Sequence, residues 1–218
     1  MGKRLIKRVL TGALLLAMAA LLMVLIGSGR EIVTRLDEYQ AARAEYSDLR
    51  EQFGTSPSTE NEEDDAETEG IDFDALRAIN PNVVGWIIVP GTEISYPIVQ
   101  GGDNRWYLYH TFRGELNASG TIFMDFRNSA DFSDEQTILH GHNMRDDSMF
   151  ASLLSWTGDR FMIHTPNGML EFEVFNRQTV EATHEIYQLH ETENGTRVVT
   201  LSTCVNESAI LRFVVQGM

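Results

Sequence analysis

The feature that most constrains this chain is an uncharged apolar run near its N-terminus, Val9–Gly27 (VLTGALLLAMAALLMVLIG). As a helix, these 19 residues at about 1.5 Å each would span roughly 28 Å, enough to cross the hydrocarbon core of a bilayer. Four basic residues lie within residues 1–8, and a basic flank is retained on the cytoplasmic side. The sequence therefore predicts a cytoplasmic basic tail at 1–8, a transmembrane signal anchor at 9–27, and an extracellular remainder.

The alternative interpretation of this run is a cleaved signal peptide. The apolar core of such a peptide is usually about 7–15 residues long, and this run is longer. The only stretch resembling a cleavage site, Ala17–Ala19, lies inside the run rather than after it. These two observations favour an uncleaved anchor.

Two polar segments separate the run from the rest of the chain. Residues 28–53 carry apolar side chains at spacings of three and four, which predicts an amphipathic helical stalk that packs on the following domain or on itself. Residues 54–70 are acidic, lack apolar periodicity and lack the Asp-x-Asp-x-Asp-Gly spacing of a calcium loop, so they indicate a solvated linker. A single domain of about 150 residues is then expected at 71–218.

The pattern within 71–218 is mainly β. Eight short segments rich in Val, Ile, Phe and Thr are bounded by Gly, Asn or Asp, which favours a closed or nearly closed antiparallel barrel. Short helices are expected at 72–78 and 149–156. The net charge of −15 argues against nucleic acid as a partner. The predicted strands are 83–89, 94–99, 121–125, 137–140, 169–175, 178–183, 197–202 and 211–216.

The chain has one cysteine, Cys204, at the end of the predicted strand VVTLSTC. A free cysteine is most often a small core residue, but a strand end beside Ser202 and Thr203 is not an ordinary core environment. A cysteine nucleophile needs a partner that generates its thiolate. Spacing does not select that partner among six histidines, although His140 and His142 stand where a strand ends, a common position for functional side chains.

Arg212 lies inside the apolar strand ILRFVV, eight residues after the cysteine. A buried arginine requires an ion-pair partner or an anion. If the last two strands form a hairpin, Arg212 can point toward Cys204 and stabilise a thiolate or an oxyanion. The alternative is an arginine that extends to solvent from an edge strand.

These segments resemble the sortase family. The cysteine segment TLSTC, the following strand with Arg212, and the histidine segment TILHGHN match that family's signatures in order. The segments GTIFMDFRN (120–128) and YPIVQGGDN (96–104) resemble class B sortases in particular. The resemblance implies an eight-stranded sortase-type barrel, closed and preceded by a transmembrane helix, at the wall of a Gram-positive bacterium.

The resemblance also implies residue roles. Cys204 is the expected nucleophile, His142 the expected acid and base, and Arg212 the expected oxyanion donor together with the backbone N–H after Cys204. The expected substrate-binding residues are Ser202, Thr203, Asn143 and Tyr109. No cofactor or metal is expected, and Asp125, Asp146 and Asp147 are interpreted as scattered acids that are solvated or form turns.

The partners implied are surface proteins with a C-terminal sorting signal, of the Asn-Pro-x-Thr type by class B resemblance, and an amine of the peptidoglycan precursor or wall peptide. One departure leaves the motif open, because class B members carry a long helical insertion where 180–196 is short. The alternatives are a pilin-polymerising sortase, which the absence of a tail lid disfavours, a cysteine hydrolase, and a membrane-tethered binding module with a structural cysteine.

Overall fold

A computed structural model describes residues 2–54, 70–190, 192, 195–205 and 210–218. Except for its two end residues, the predicted linker at 54–70 lies outside the described residues. The chain forms two compact units, residues 1–41 and residues 42–218. The first unit belongs to one long helix, α1 (Gly2–Phe53), and from Gly12 onward this helix is apolar enough to cross a membrane, with a mean hydropathy of 2.2 over its most apolar 18 residues.

The end of helix α1 belongs to the second unit. Ala42, Tyr46, Leu49 and Phe53 are all buried there. Their spacing of three and four residues places them on one face of the helix. The amphipathic pattern predicted for 28–53 therefore provides a packing face in its second half.

Besides the end of helix α1, the described residues of the second unit form eight strands, one short helix and the three turns of 3-10 helix named below. The helix α2 (Phe73–Ile79) is capped by Asp72, whose side chain accepts a hydrogen bond from the amide of Ala75 at 2.9 Å. The 3-10 turns are Trp106–Leu108, Ala151–Leu154 and Glu185–Tyr187. The strands are β1 (Val83–Ile88), β2 (Ser95–Gln100), β3 (Ile122–Met124), β4 (Gln136–His140), β5 (Arg160–Thr165), β6 (Gly168–Glu181), β7 (Val198–Cys204) and β8 (Leu211–Gly217).

The strands close into a barrel in the order β1-β2-β3-β4-β7-β8-β6-β5, with β5 pairing back to β1. The predicted closed eight-stranded barrel is confirmed. The expectation that it is antiparallel throughout is wrong, because β2 pairs with β3 and β4 pairs with β7 in parallel. Parallel neighbours require a long crossover, and the segments 101–121 and 141–197 provide it.

Three local predictions also need correction. The segments 169–175 and 178–183 belong to one strand, β6, because a bulge between Val174 and Asn176 accommodates the polar residues interpreted as a turn. Strand β5 was not predicted, although Phe161, Ile163 and Thr165 alternate inward as a strand requires. The helix expected at 149–156 is only the 3-10 turn Ala151–Leu154.

The barrel interior is filled by aliphatic and aromatic side chains. Ile87, Ile98, Ile138, Leu201 and Val215 come from five different strands and are each fully buried. Burial of a side chain of this size typically contributes about 1.5–3 kcal/mol. The packed interior holds the strands in place. The C-terminal ends of β4 and β7 and the N-terminal end of β8 lie at the same rim of the barrel.

Candidate active site

Strand pairing brings the predicted catalytic segments together. The parallel pairing of β4 with β7 sets His140 beside Ser202, and the antiparallel pairing of β7 with β8 sets Cys204 beside Arg212. The hairpin anticipated between the last two strands is therefore present, in the register that makes Cys204 and Arg212 direct neighbours. Directly opposed residues in such a pair have Cβ atoms about 4.5–5.5 Å apart.

Gly141 lets the chain leave β4 immediately before His142. A Cβ on Gly141 would lie 2.5 Å from Ile122 Cδ1 and 2.6 Å from the ring of Phe150, so no larger residue fits without displacing the core. The amide of Gly141 still donates to Ser202 O at 3.1 Å. His142 is therefore held at the rim by the last hydrogen bond of the β4–β7 ladder.

The imidazole of His142 is oriented by a backbone carbonyl. Its Nε2 lies 2.8 Å from Leu108 O. Because a carbonyl oxygen can only accept, Nε2 carries the hydrogen in both the neutral and the charged ring. Nδ1 is then the ring nitrogen that gains or loses a proton.

The pKa of His142 is lowered from its ordinary value. Burial is the main cause, and the positive charge of Arg212 adds to it, while the hydrogen bond to Leu108 acts in the opposite direction. Desolvation and a nearby cation both disfavour an imidazolium. At neutral pH the ring is therefore mainly neutral, with Nδ1 available as a base.

Cys204 is half-buried at the end of β7 rather than sealed in the core. The side-chain amide of Asn143 donates to Cys204 O at 3.0 Å, which ties the histidine segment to the backbone of the cysteine. A partly exposed thiol at a strand end is accessible to a reactant. This exposure disfavours the alternative in which the cysteine is a core residue.

Arg212 is half-buried, and its Nη1 donates to Leu211 O at 3.0 Å. The amide of Val205 donates to the same carbonyl at 3.2 Å. The expected second oxyanion donor, the N–H after Cys204, is therefore engaged in the hairpin in this conformation. Of the two expected donors, the guanidinium is the one on a side chain that can turn toward a bound carbonyl.

A cleft of about 310 Å³ opens at this rim. Among the described residues it is lined by Asn104, Leu108, Phe123, Asp125, Arg127, His140, Gly141, His142, Ala182, Tyr187, Ser202, Thr203, Cys204 and Arg212. It therefore brings together the three predicted catalytic residues and two of the four predicted substrate-binding residues.

The four predicted substrate-binding residues occupy different positions. Ser202 and Thr203 are almost fully buried, and the Thr203 hydroxyl has no hydrogen-bond partner within the described part of the chain. Asn143 and Tyr109 are not among the described residues that line the cleft. Asn143 instead holds the Cys204 backbone, and Tyr109 is 54% exposed at the end of a 3-10 turn.

Sequence reasoning missed a buried carboxylate in the cleft. Asp125 was interpreted as solvated or turn-forming, but only 1% of it is exposed. Its carboxylate accepts two bonds of 2.8 Å from the Arg127 guanidinium and one of 2.8 Å from Asn104, and His140 Nε2 lies 3.4 Å away. Burial alone would raise the pKa of Asp125, but these bonds together hold it well below its usual range.

Tyr187 was also missed. It lies on the 3-10 turn Glu185–Tyr187, and its hydroxyl is 2.7 Å from Ser202 Oγ. The Arg127 guanidinium donates to Tyr187 O at 3.1 Å. Burial raises the pKa of Tyr187. Tyr187, in the short segment at 180–196, therefore forms part of the cleft wall. In the sequence, the only indication of this role was an aromatic residue within a polar stretch.

Comparisons with known proteins agree with this geometry. The family model described as Sortase domain matches residues 87–218. Sortase B of Listeria monocytogenes is 34% identical over 176 residues, with 65% of this chain and 71% of that protein covered. Sortase B of Staphylococcus aureus is 34% identical over 153 residues, with 70% of this chain and 60% of that protein covered. A solved structure, the Staphylococcus aureus sortase B–substrate complex, has a TM-score of 0.67 at 27% identity and covers 83% of this chain and 96% of that chain.

The chain belongs to the sortase family, whose members are cysteine transpeptidases. Within that family it is of the class B type, as the resemblance in its motifs indicated.

Proposed function

We propose that this protein is a membrane-anchored class B sortase in which Cys204, His142 and Arg212 perform the transfer. It would cleave a C-terminal sorting signal of the Asn-Pro-x-Thr type after Thr, through a thioacyl-enzyme, and join the substrate to an amine of the cell wall. The observation that carries this proposal is the direct pairing of Cys204 with Arg212 in a cleft that also contains His142.

In the first step the Cys204 thiol gives its proton to His142 Nδ1 and its sulfur adds to the carbonyl carbon of the Thr residue, after which the C–N bond following Thr breaks. The leaving amine takes a proton from His142 Nδ1, the nitrogen that the Leu108 carbonyl leaves unbonded. The product is a thioester between Cys204 and the shortened substrate, with the imidazole neutral.

In the second step an acceptor amine attacks the thioester carbon and the C–S bond breaks. The amine loses a proton to His142 Nδ1, and the thiolate of Cys204 is restored. A neutral ring is required at this point, and the lowered pKa of His142 supplies it at neutral pH. The imidazolium that results returns this proton to the thiolate, which restores the thiol and the neutral ring of the free enzyme.

Arg212 would stabilise the oxyanion of both tetrahedral intermediates. A guanidinium is permanently charged and can give two parallel N–H donors. In the free enzyme its Nη1 is bound to Leu211 O, so substrate binding would exchange a neutral acceptor for a developing anion. Loss of one oxyanion donor typically costs about 10²–10³ in rate.

The anchored arrangement follows the charge pattern of the chain. Residues 1–8 would remain in the cytoplasm, residues 9–27 would cross the membrane, and the catalytic domain at 71–218 would face the wall. The apolar stretch of helix α1 supports a membrane anchor, and the basic residues before it support this orientation. The donor partners would then be surface proteins, and the acceptor would be a peptidoglycan precursor.

The test uses the full chain in detergent, an Asn-Pro-x-Thr peptide, and an oligoglycine amine, with products read by mass spectrometry. We expect cleavage after Thr, ligation to the amine, and a thioester adduct on Cys204 that Cys204→Ala abolishes. Arg212→Ala should lower kcat/KM by about 10²–10³. Cleavage without ligation at saturating amine would identify a hydrolase, and absence of both adduct and cleavage across a peptide library would overturn the proposal.

A further inference from the structure

The loop that follows His142 folds back onto it. Asn143 and Met149 form an isolated antiparallel bridge, and the amide of Phe150 donates to His142 O at 2.9 Å. The backbone carbonyl of His142 and the residue after it are therefore bound to the far end of this loop, residues 143–149. A movement of the loop would shift the backbone that carries the imidazole.

The loop holds an unfavourable backbone conformation. Asp147 has φ 62° and Met149 has φ 57°, and neither residue is a glycine. Side-chain-bearing residues rarely adopt the left-handed region, and such conformations persist only where the surroundings impose them. The loop therefore depends on contacts from outside itself.

The end of helix α1 supplies two short contacts of this kind. The Arg43 guanidinium donates from Nε to Asp146 Oδ2 and from Nη2 to Asp146 O, each at 2.7 Å. The other carboxylate oxygen of Asp146 accepts from the Ser148 hydroxyl at 2.6 Å. One arginine thus fixes both the side chain and the backbone of the residue at the centre of the loop.

A further contact reaches the same loop through two tyrosines. The amide of Met149 donates to the Tyr96 hydroxyl at 3.3 Å. The Tyr96 ring meets the ring of Tyr46, on helix α1, edge to face at 5.3 Å between centroids. The helix end therefore supports the loop at Asp146 directly and at Met149 through Tyr96.

We propose that Arg43 is a positioning residue for the transfer reaction, acting through Asp146 and the loop 143–149 on the placement of His142. The catalytic consequence rests on the proposed function, whereas the contact between Arg43 and the loop does not. The arginine side chain is 59% exposed, so its ion pair adds little to global stability. Its effect is on geometry, where a displacement of about 1 Å can cost about 10² in rate.

The helix provides a matched control. Asp48 on helix α1 binds the Arg113 guanidinium at 2.7 Å, the same length as the Arg43 ion pair, but it contacts a different loop. Asp48→Ala removes an equally short ion pair between the helix and the barrel and leaves the loop 143–149 supported. General loosening of the helix should affect both variants equally.

The experiment compares the wild type, Arg43→Ala, Arg43→Lys and Asp48→Ala in detergent as full chains. Amide hydrogen exchange is followed by mass spectrometry for peptides covering 143–150, alongside kcat and KM for the peptide substrate. Arg43→Ala should exchange roughly tenfold faster in this segment and lower kcat about tenfold at unchanged KM. Arg43→Lys should recover part of both effects, and Asp48→Ala should change neither.

Unchanged exchange at 143–150 in Arg43→Ala would overturn the proposal, as would an equal fall in kcat from Asp48→Ala. The exchange measurement needs no turnover. If the wild type fails to process the peptide, that failure counts against the proposed function alone, and the exchange data still decide whether Arg43 holds the loop.

Discussion

The two nitrogens of the His142 imidazole have different roles: one is bound to a backbone carbonyl, and the other can gain or lose a proton. Nε2 is committed to Leu108 O at 2.8 Å, so only Nδ1 can exchange protons with a reactant. Arg212 affects the same ring through its charge, which helps to hold the pKa of His142 down. The guanidinium therefore has two expected roles, one toward the oxyanion and one toward the base.

Arg212→Gln should raise the pKa of His142. Burial would still lower that pKa, but the cation that also disfavours the imidazolium would be gone. The titration of the His142 Cε1–H resonance in the two proteins measures this shift, with the resonance assigned through His142→Gln. Arg160→Gln, on the exposed face of β5, is the control and should leave the titration unchanged. A pKa that stays the same or falls in Arg212→Gln would contradict the prediction.

Asp125 should make the protein sensitive to acid. Its pKa is lowered in the folded state despite burial, because Arg127, His140 and Asn104 stabilise the carboxylate. The stabilisation is thus complete above the unfolded pKa of about 3.9 and is lost as the pH falls below it.

Asp125→Asn should lower Tm at neutral pH and flatten its fall between about pH 5 and pH 2. Thermal unfolding followed by tryptophan fluorescence across this range measures both effects. Asp74→Asn, whose side chain is 96% exposed, should reproduce the wild-type curve. An Asp125→Asn curve parallel to the wild type would mean that the carboxylate is not stabilised by its neighbours.

At the scale of the elements, the turn from β4 into His142 has no room for a side chain at Gly141. Gly141→Ala would force a methyl group against Ile122 and Phe150, and overpacking of this kind typically costs about 1–3 kcal/mol. We expect a lower Tm together with a fall in kcat, because the added atom moves the residue next to His142.

Gly102→Ala is the matched control, since nothing lies within 4 Å of its would-be Cβ. Thermal unfolding and peptide turnover measured on both variants separate the effect of crowding from the effect of a lost glycine. If Gly141→Ala and Gly102→Ala changed Tm and kcat equally, crowding against Ile122 and Phe150 would not be the cause of the change.

The sequence predicted most elements because their signals are local. Strand β7, the turn at Gly141 and the helical periodicity of 28–53 all depend on neighbours within a few residues. Strand β5 was missed because Arg160 and His164 interrupt its apolar pattern. The continuity of β6 was missed because the polar pair Asn176 and Arg177, which follows a bulge, resembles a turn in the sequence. The parallel pairings were missed because they depend on which distant strand closes the barrel.

The candidate site was predictable to the extent that its residues carry motifs. Cys204, His142 and Arg212 were identified from signatures, and strand register brings their segments together. Asp125 and Tyr187 were not identified, because the contacts of Asp125 with Asn104 and His140, and of Tyr187 with Ser202, join residues that are far apart along the chain. A single aspartate or tyrosine in a polar segment does not by itself indicate a buried contact.

At the scale of the whole molecule, the compact unit that contains the barrel begins at Ala42, inside helix α1. Leu49→Ala should therefore destabilise this unit by about 2–5 kcal/mol, because the leucine is fully buried and its loss leaves a cavity.

Leu36→Ala, at a leucine that is 52% exposed earlier on the same helix, is the control and should change the free energy of unfolding by no more than about 0.5 kcal/mol. Denaturant unfolding of the full chain, followed by the fluorescence of its three tryptophans, gives both values. A Leu49→Ala variant as stable as the control would show that the end of helix α1 does not contribute to the stability of the unit that contains the barrel.

The parallel pairing of β4 with β7 joins residues 136–140 to residues 198–202, far apart along the chain. Contacts of such long range form slowly during folding, after local hairpins. Until that pairing forms, the local hairpin of β7 and β8 can set Arg212 beside Cys204, but the segment that carries His142 is still absent. An incompletely folded copy therefore lacks the acid and base that the proposed transfer needs, and the thiol gains that partner only in a late step of folding.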